Sequence, residues 1–526
     1  MTVSTSQSHQ FSDHIKRNKP YSFYLQWLIV ITTVIRCIVA CYVELGNDEA
    51  YYFTYAVQPD WNHFDHPPMV GLFIRLFTLN LHWINDLAVR LPAILGAALN
   101  TWLIARCGLV VKNERTGFIA AVLYNTSIYT SIIAGLFILP DSVQLVFWLA
   151  ALYHMLRLST VSNQALQNKQ ILMLGVWIGL AIMCKVHGIF LWSGFLGYIL
   201  FYKRSLLKNP CLYVSLLLTF LIISPILIWN FQNEFISWRF HSERVEVKNG
   251  INLALFLTTT LGQIAYNNPV NVCIFLITLA AIKKWKYLIH SHVLQILLWC
   301  SLPIIFCTVL VSIFRFTLPH WSGPGFLGLM LLSAAYIDFR MKSGTNLYTR
   351  LLKISATLIA VVIVAGTLLV NFYPGTLSTR PWPKTGSGDF TLDISGWEGL
   401  SDEFKKLRLN DIKTGRMSAE TPIVTHKWFP GGHLLYYVAY PLKMRFTGIG
   451  QLNELHKFVW LNVIYGSPAI GSNAYFITSS DDFADPNILY GKIFQIIEKP
   501  YRTPQIRNGN VARYWYVYRL KNFTKK

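Results

Sequence analysis

Charge is what this chain has least of. Only 13% of its 526 residues are Asp, Glu, Lys or Arg, against about 25% in an ordinary soluble domain. A wholly soluble globular protein is thereby excluded. Acid is scarcer still, with 25 Asp and Glu set against 46 Lys and Arg. The eight cysteines all lie in or beside apolar segments, form no Cys-x-x-Cys pair, and leave residues 374–526 with none. That pattern speaks against disulfide and metal frameworks and for small buried hydrophobes. No glycine-rich phosphate loop, internal repeat or low-complexity tract is visible. A nucleotide site is therefore not indicated.

What is present is apolar and aromatic, at 53% and 15% of the residues, with a mean hydropathy of +0.39. Runs of about 20 apolar residues recur, each long enough to cross a hydrocarbon core of about 30 Å. They predict a mainly α, polytopic membrane domain of about eleven transmembrane helices over residues 21–373. A polar tail, 1–20, precedes it, and no small-residue cleavage site follows the first span, so that span reads as an uncleaved anchor. After Pro374 the apolar runs stop. Alternating stretches (TPIVTHK, AYFITS, RYWYVYRL) and helix-like ones (DEFKKLRL, LNELHKFVW) predict a small α+β domain over 374–526.

The net charge of +21 raises the question of nucleic acid, but no basic stripe or recognisable module accompanies it. The cations sit in short loops beside spans. Numbered alternately, one set of loops is basic: the N-terminus, KNER, Arg157 to Lys169, KRSLLK, KKWK and RMK. The positive-inside rule makes that set cytoplasmic. The other set, which includes the loop over residues 44–86 and the C-terminal domain, then faces outward. In a two-membrane bacterium the expected arrangement is an inner (plasma) membrane protein with a periplasmic C-terminal domain.

The outer loop holds most of the chemistry. The run ELGNDEAYYFTYAVQPDWNHFDHPPMVGLFIR begins at Glu44 and brings Asp48, Glu49, Asp65, His63 and His66 to a membrane boundary. Carboxylates placed there usually have a function. Other outer loops add Asp141 in LPDS, Lys185 and His187 in the break KVHG, and His320 in LPHW. Adjacent acids in a poorly solvated pocket raise each other's pKa, which suits a general base. Lys185 offers a cation to a phosphate oxygen. Plainer readings exist for each residue: helix caps for Asp48 and Asp141, a snorkelling Lys185, structural His187 and His320. Convergence on one side of the membrane is what gives the set its weight. Tyr51, Tyr52, Trp61 and Phe64 could stack on sugar faces, and HKWFPGGHLLYYVAY, with His426 and His433, could face the same pocket.

The loop NDEAYYFTYAVQPDWNHFDHPPMV strongly resembles the first outer loop of bacterial glycosyltransferases of the dolichyl-phosphate-mannose–protein mannosyltransferase type. These include the lipid A aminoarabinose transferases and belong to the GT-C superfamily. LPDSVQLVFWLAALY and LPHWSGPGF resemble two further motifs, and the resemblance covers roughly residues 21–373. It implies a polyprenyl-phosphate sugar donor, an inverting transfer to a protein, lipid or glycan acceptor, and an outer C-terminal domain. By position Asp48 takes the catalytic acid's place with Glu49 beside it. Asp65 matches the acid before the Pro-Pro pair, and Asp141 the acid of the second motif. Some members use a divalent metal near the first acid, and here Asp48 would be its ligand. His66 departs from the aminoarabinose branch, which carries Lys there. The rival reading is a transporter or flippase of lipid-linked sugars. Such proteins often show paired repeats and midplane polar sites, and neither is seen here.

Overall fold

The structure is a computed structural model that describes residues 20–246 and 250–524. The expected cytoplasmic tail, 1–20, lies outside the described residues except for Pro20. Helices dominate. The first are α1 (Tyr21–Tyr42), α2 (Asn47–Val57), α3 (Met69–Phe77), α4 (Asp86–Val111), α5 (Glu114–Thr126), α6 (Pro140–Thr160) and α7 (Gln164–Cys184). Then come α8 (Ile189–Tyr202), α9 (Pro210–Gln232), α10 (Ile236–Val245), α11 (Leu253–Tyr266), α12 (Pro269–Ala280) and α13 (Ile282–Trp285). The bundle closes with α14 (Ser291–Trp299), α15 (Leu302–Ser312), α16 (Phe326–Lys342) and α17 (Leu347–Phe372).

Asparagine sets many of the starts. Asn85, Asn113, Asn163, Asn209 and Asn252 each accept a backbone N–H of the helix that follows. A short polar side chain there satisfies one of the unpaired amides of the first turn. Pro140, Pro210 and Pro269 occupy first helical positions, where their fixed φ suits the helix and no N–H is lost. Gly108 of α4 lets α5 approach closely, since a Cβ there would lie 2.6 Å from Gly117 Cα.

Among the described residues, seven helical stretches are long and apolar enough to cross a membrane by length and composition. The other expected spans are helical too, but short, broken or less apolar. α5 passes into a wider turn over Tyr129–Ile133, and α11 and α12 are parted at Asn267–Asn268 ahead of Pro269. α8 is only 14 residues long. The short α3 is apolar but for Arg75 and leaves Leu72 and Leu76 uncovered, as expected of a helix lying at an interface.

The loops sort into two ends. Lys112 and Arg115, from KNER, pair with Asp338 just before RMK. Asn209 beside KRSLLK hydrogen-bonds Asn168 of the preceding basic loop. The acid loop, LPDS, KVHG, LPHW and residues 236–244 gather at the opposite end.

Residues 374–526 add α18 (Trp397–Lys413), α19 (Trp428–His433), α20 (Leu452–Leu455), α21 (Phe458–Tyr465) and α22 (Pro486–Tyr490). Their strands are β1 (Ile423–Thr425), β2 (Phe446–Gly448), β3 (Ala474–Ser479), β4 (Phe494–Ile497), β5 (Tyr501–Arg507) and β6 (Asn510–Phe523). The sheet order is β2-β1-β3-β6-β4, with β5 also paired to β6. β1 runs parallel to β2 and β3, while β6 runs antiparallel to its neighbours. Asn508 and Gly509, both at positive φ, turn the β5–β6 hairpin as an Asn-Gly pair should.

The domain has one core of its own, around Val424, Phe476 and Leu520, and shares a second with the membrane part. One apolar cluster joins Tyr51, Phe53 and Tyr55 of α2 to Trp397, Phe404, Leu435 and Phe458. The Glu44 carboxylate accepts the N–H groups of Trp397 and Glu398, at 2.8 and 3.0 Å, at the start of α18. Tyr436 and Tyr437 donate to Asp86, and His433 donates to the Leu45 carbonyl. Gly432 makes the contact possible: a Cβ there would sit 2.8 Å from the Tyr51 nitrogen. α19 thus lies directly on the backbone of α2.

Candidate active site

A cavity of about 410 Å³ opens where the acid loop, the break between α7 and α8, and the C-terminal domain meet. Seven of the eight site residues singled out from the sequence line it: Asp48, Asp65, His66, Asp141, Lys185, His187 and His320. Glu49 does not. Its carboxylate is clasped by Arg90 at 2.6 and 2.9 Å, and it also accepts the N–H groups of Ile138 and Gly46. Helical geometry explains the difference, because successive residues point about 100° apart and only one of the two can face the cavity. A catalytic role for Glu49 is therefore corrected to a structural one: it ties α2 to α4 and to the entrance of α6.

Asp48 has the opposite surroundings. Among the described residues its carboxylate accepts no hydrogen bond from the protein, and it looks into the open cavity. The side chain is open to the cavity, but desolvation by the surrounding walls and the nearby Asp65 charge push its pKa up to about 6, against the pull of Arg244 and Lys185. Asp65 is held in place by the hydroxyls of Tyr51 and Tyr55, which donate to it at 2.8 and 2.5 Å. Its backbone carbonyl accepts from His241 Nε2 at 2.7 Å, which fastens α10 over the loop.

On the far wall Lys185 Nζ donates to Asp141 at 2.8 Å, and Tyr129 supplies a second donor to that carboxylate. Gln144 takes the backbone carbonyls of Ala181 and Lys185, so the helix break is pinned from α6. Burial lowers the pKa of His66, with the charge of His241 working in the same direction, and burial lowers that of His241 against the pull of Asp65.

Sequence reading missed His241 and Arg244, which lie in a loop that reads as merely interfacial. Arg244 packs over the Phe240 ring at 4.4 Å and has no carboxylate partner among the described residues. A histidine and an arginine three positions apart, beside Trp238 and Phe240, were the available signal. The C-terminal domain contributes Trp428 and His456 to the lining. The two histidines expected there are elsewhere: His433 stacks on Trp397, and His426 packs against Phe476. Tyr51 and Tyr52 line the cavity as expected, but Trp61 points away and Phe64 is buried against Phe240 and His456.

No three His, Cys, Asp or Glu side chains converge as a metal-holding group among the described residues. A divalent ion at Asp48 would have Asp65 nearby and no third such side chain among the described residues, so the residues present do not fit one.

Residues 65–229 match the family model described as dolichyl-phosphate-mannose-protein mannosyltransferase. No curated protein matches the chain. Among solved structures, ArnT from Cupriavidus metallidurans bound to undecaprenyl phosphate superposes with a TM-score of 0.64. The two are 13% identical over 94% of this chain and 98% of that one. The chain has the ArnT-like GT-C fold. The apo state of the same ArnT gives a TM-score of 0.61 at the same identity and coverage. The archaeal oligosaccharyltransferase from Archaeoglobus fulgidus, tethered to an acceptor peptide, gives 0.49 at 11% identity, over 93% of this chain and 74% of that one. The resemblance read from the outer-loop motifs is borne out at the level of the fold. The family match begins at Asp65, whereas the GT-C superposition takes in nearly the whole chain, C-terminal domain included.

Proposed function

We propose that the chain is an integral membrane glycosyltransferase that moves a sugar from a polyprenyl-phosphate carrier to a hydroxyl of a protein, lipid or glycan acceptor. The observation that carries this reading is a carboxylate, Asp48, unpaired among the described residues and facing cations across a cavity at the end of the spans. A lipid-linked donor keeps its tail in the bilayer and presents its anomeric carbon at headgroup depth. Asp48 takes the acceptor proton as the hydroxyl attacks that carbon. The bond to the phosphate breaks on the opposite face, and the configuration inverts. Lys185 and Arg244 compensate the charge of the departing phosphate, which is the larger electrostatic demand. Asp65, fixed by Tyr51 and Tyr55, raises the basicity of Asp48 from across the cavity.

The basic loops support an N-inside, C-outside arrangement, with the cavity on the outer (periplasmic) face of the inner membrane. A phosphatase fused after Lys526 is then active and one fused near Lys284 silent. A transporter needs a path through the bundle, whereas the polar residues here gather at one end. Purified protein incubated with a radiolabelled polyprenyl-phosphate sugar extract tests the reading. Label moving to an acceptor fraction supports transfer, and label that only crosses a vesicle membrane unchanged overturns it.

A further inference from the structure

At the end opposite the cavity, α1, α5, α16 and α17 leave a cleft of about 300 Å³. Its floor is apolar and includes Phe118, Val122 and Leu352, while Arg115 and Lys353 stand on its rim. The two outer walls, α1 and α17, bury only 11% and 17% of their most apolar windows, so the cleft opens toward lipid. Nothing in the transfer chemistry uses it.

The charge around it is lopsided. Asp338 is the carboxylate that faces this rim, and both Lys112 and Arg115 pair with it. One acid against two cations leaves a positive remainder. Among the described residues, Lys342, Arg350 and Lys353 are exposed at the same end with no carboxylate partner, and Glu114 is a further acid there.

We propose that this cleft binds an acidic phospholipid, with one acyl chain along the apolar floor and the phosphate between Arg115 and Lys353. A soluble anion would satisfy the rim and leave the floor uncovered. A zwitterionic lipid would fill the floor but bring its own cation to a rim already in positive excess. A lipid with net negative charge satisfies both, as basic pockets between transmembrane helices generally do. The site is independent of the transfer reaction.

Native mass spectrometry of the delipidated full-length protein tests it, with dioleoyl-phosphatidylglycerol and dioleoyl-phosphatidylcholine added at equal concentration. Wild type retains one phosphatidylglycerol in clear preference. Each surface cation contributes about fivefold in affinity, so Lys353→Gln weakens that lipid about fivefold and Lys353→Glu about 25-fold, with phosphatidylcholine unchanged. Ala356→Trp fills the floor and weakens both lipids. Lys353 is exposed and unpaired, so its variants melt like wild type in lipid-free detergent, which separates lost binding from lost fold. Equal retention of the two lipids by wild type, or an undiminished preference in Lys353→Glu, overturns the proposal.

Discussion

Asp48 and Glu49 are neighbours in sequence and opposites in circumstance. Both oxygens of Glu49 are taken, by a guanidinium and two backbone N–H groups, and the residue is 1% exposed. Asp48 has no such partner and faces an open cavity. The same contrast divides the whole of α2. Glu49 is spent on Arg90 and Phe53 on the C-terminal domain, while Asp48 and Tyr52 face the cavity and Tyr51 touches both the cavity and that domain. A buried acid with all its hydrogen bonds made holds a structure together. One left short of partners has its interactions in reserve for a substrate. Adjacency in a motif therefore says little about shared duty.

Breaking the structural face should cost stability. Arg90→Met leaves the Glu49 carboxylate buried without its cation, and the loss of one partner of such a pair costs about 3–5 kcal/mol. Chemical unfolding in detergent should show that loss, and a variant as stable as wild type would remove Glu49 from its structural role. Tyr51→Phe with Tyr55→Phe sharpens the other face. It strips two donors from Asp65, and hydrogen bonds to charged groups are worth about 1.5–3 kcal/mol each. Turnover should fall about tenfold or more under saturating donor, with the secondary structure by circular dichroism intact. The smallest effect belongs to Glu44→Gln, at the contact with α18. Burial raises the Glu44 pKa to about 7 against the two N–H groups that oppose it, so much of its charge is already lost at neutral pH. A glutamine still accepts a hydrogen bond there, and the stability loss should be about 1 kcal/mol or less.

Much of this was legible in the sequence because the signals are long. Apolar runs report helices whatever they pack against, and loops between them report orientation through charge. The strands around Val424, Phe476 and Val517 alternate or run apolar as strands do. The cavity's acids could be read because they stand in polar breaks where nothing else requires them. Pairing could not be read. Arg90 lies within an apolar helix 41 positions from Glu49, and no local pattern announces that the two meet. The same holds for Trp428 and His456, which reach the cavity only because the C-terminal domain shares its core with α2. His456 also breaks LNELHKFVW into two short helices at a positive φ of 51°, where periodicity alone suggests one.

The account rests on Asp48 as the base, and a pH–rate profile of wild type and Asp48→Asn tests that most directly. A base must be ionised to accept a proton, and Asp48 loses its charge as the pH falls through about 6. Wild-type turnover should therefore be level above that pH and fall about tenfold per unit below it. Asp48→Asn keeps the size of the side chain and its capacity to cap a helix, so stability measured on the same sample should hold. Its rate should be at least about a hundredfold lower, within the about 10²–10⁴-fold range of general-base catalysis, and should lack the acid limb. A folded Asp48→Asn protein turning over within about threefold of wild type, with the same acid limb, would contradict the account.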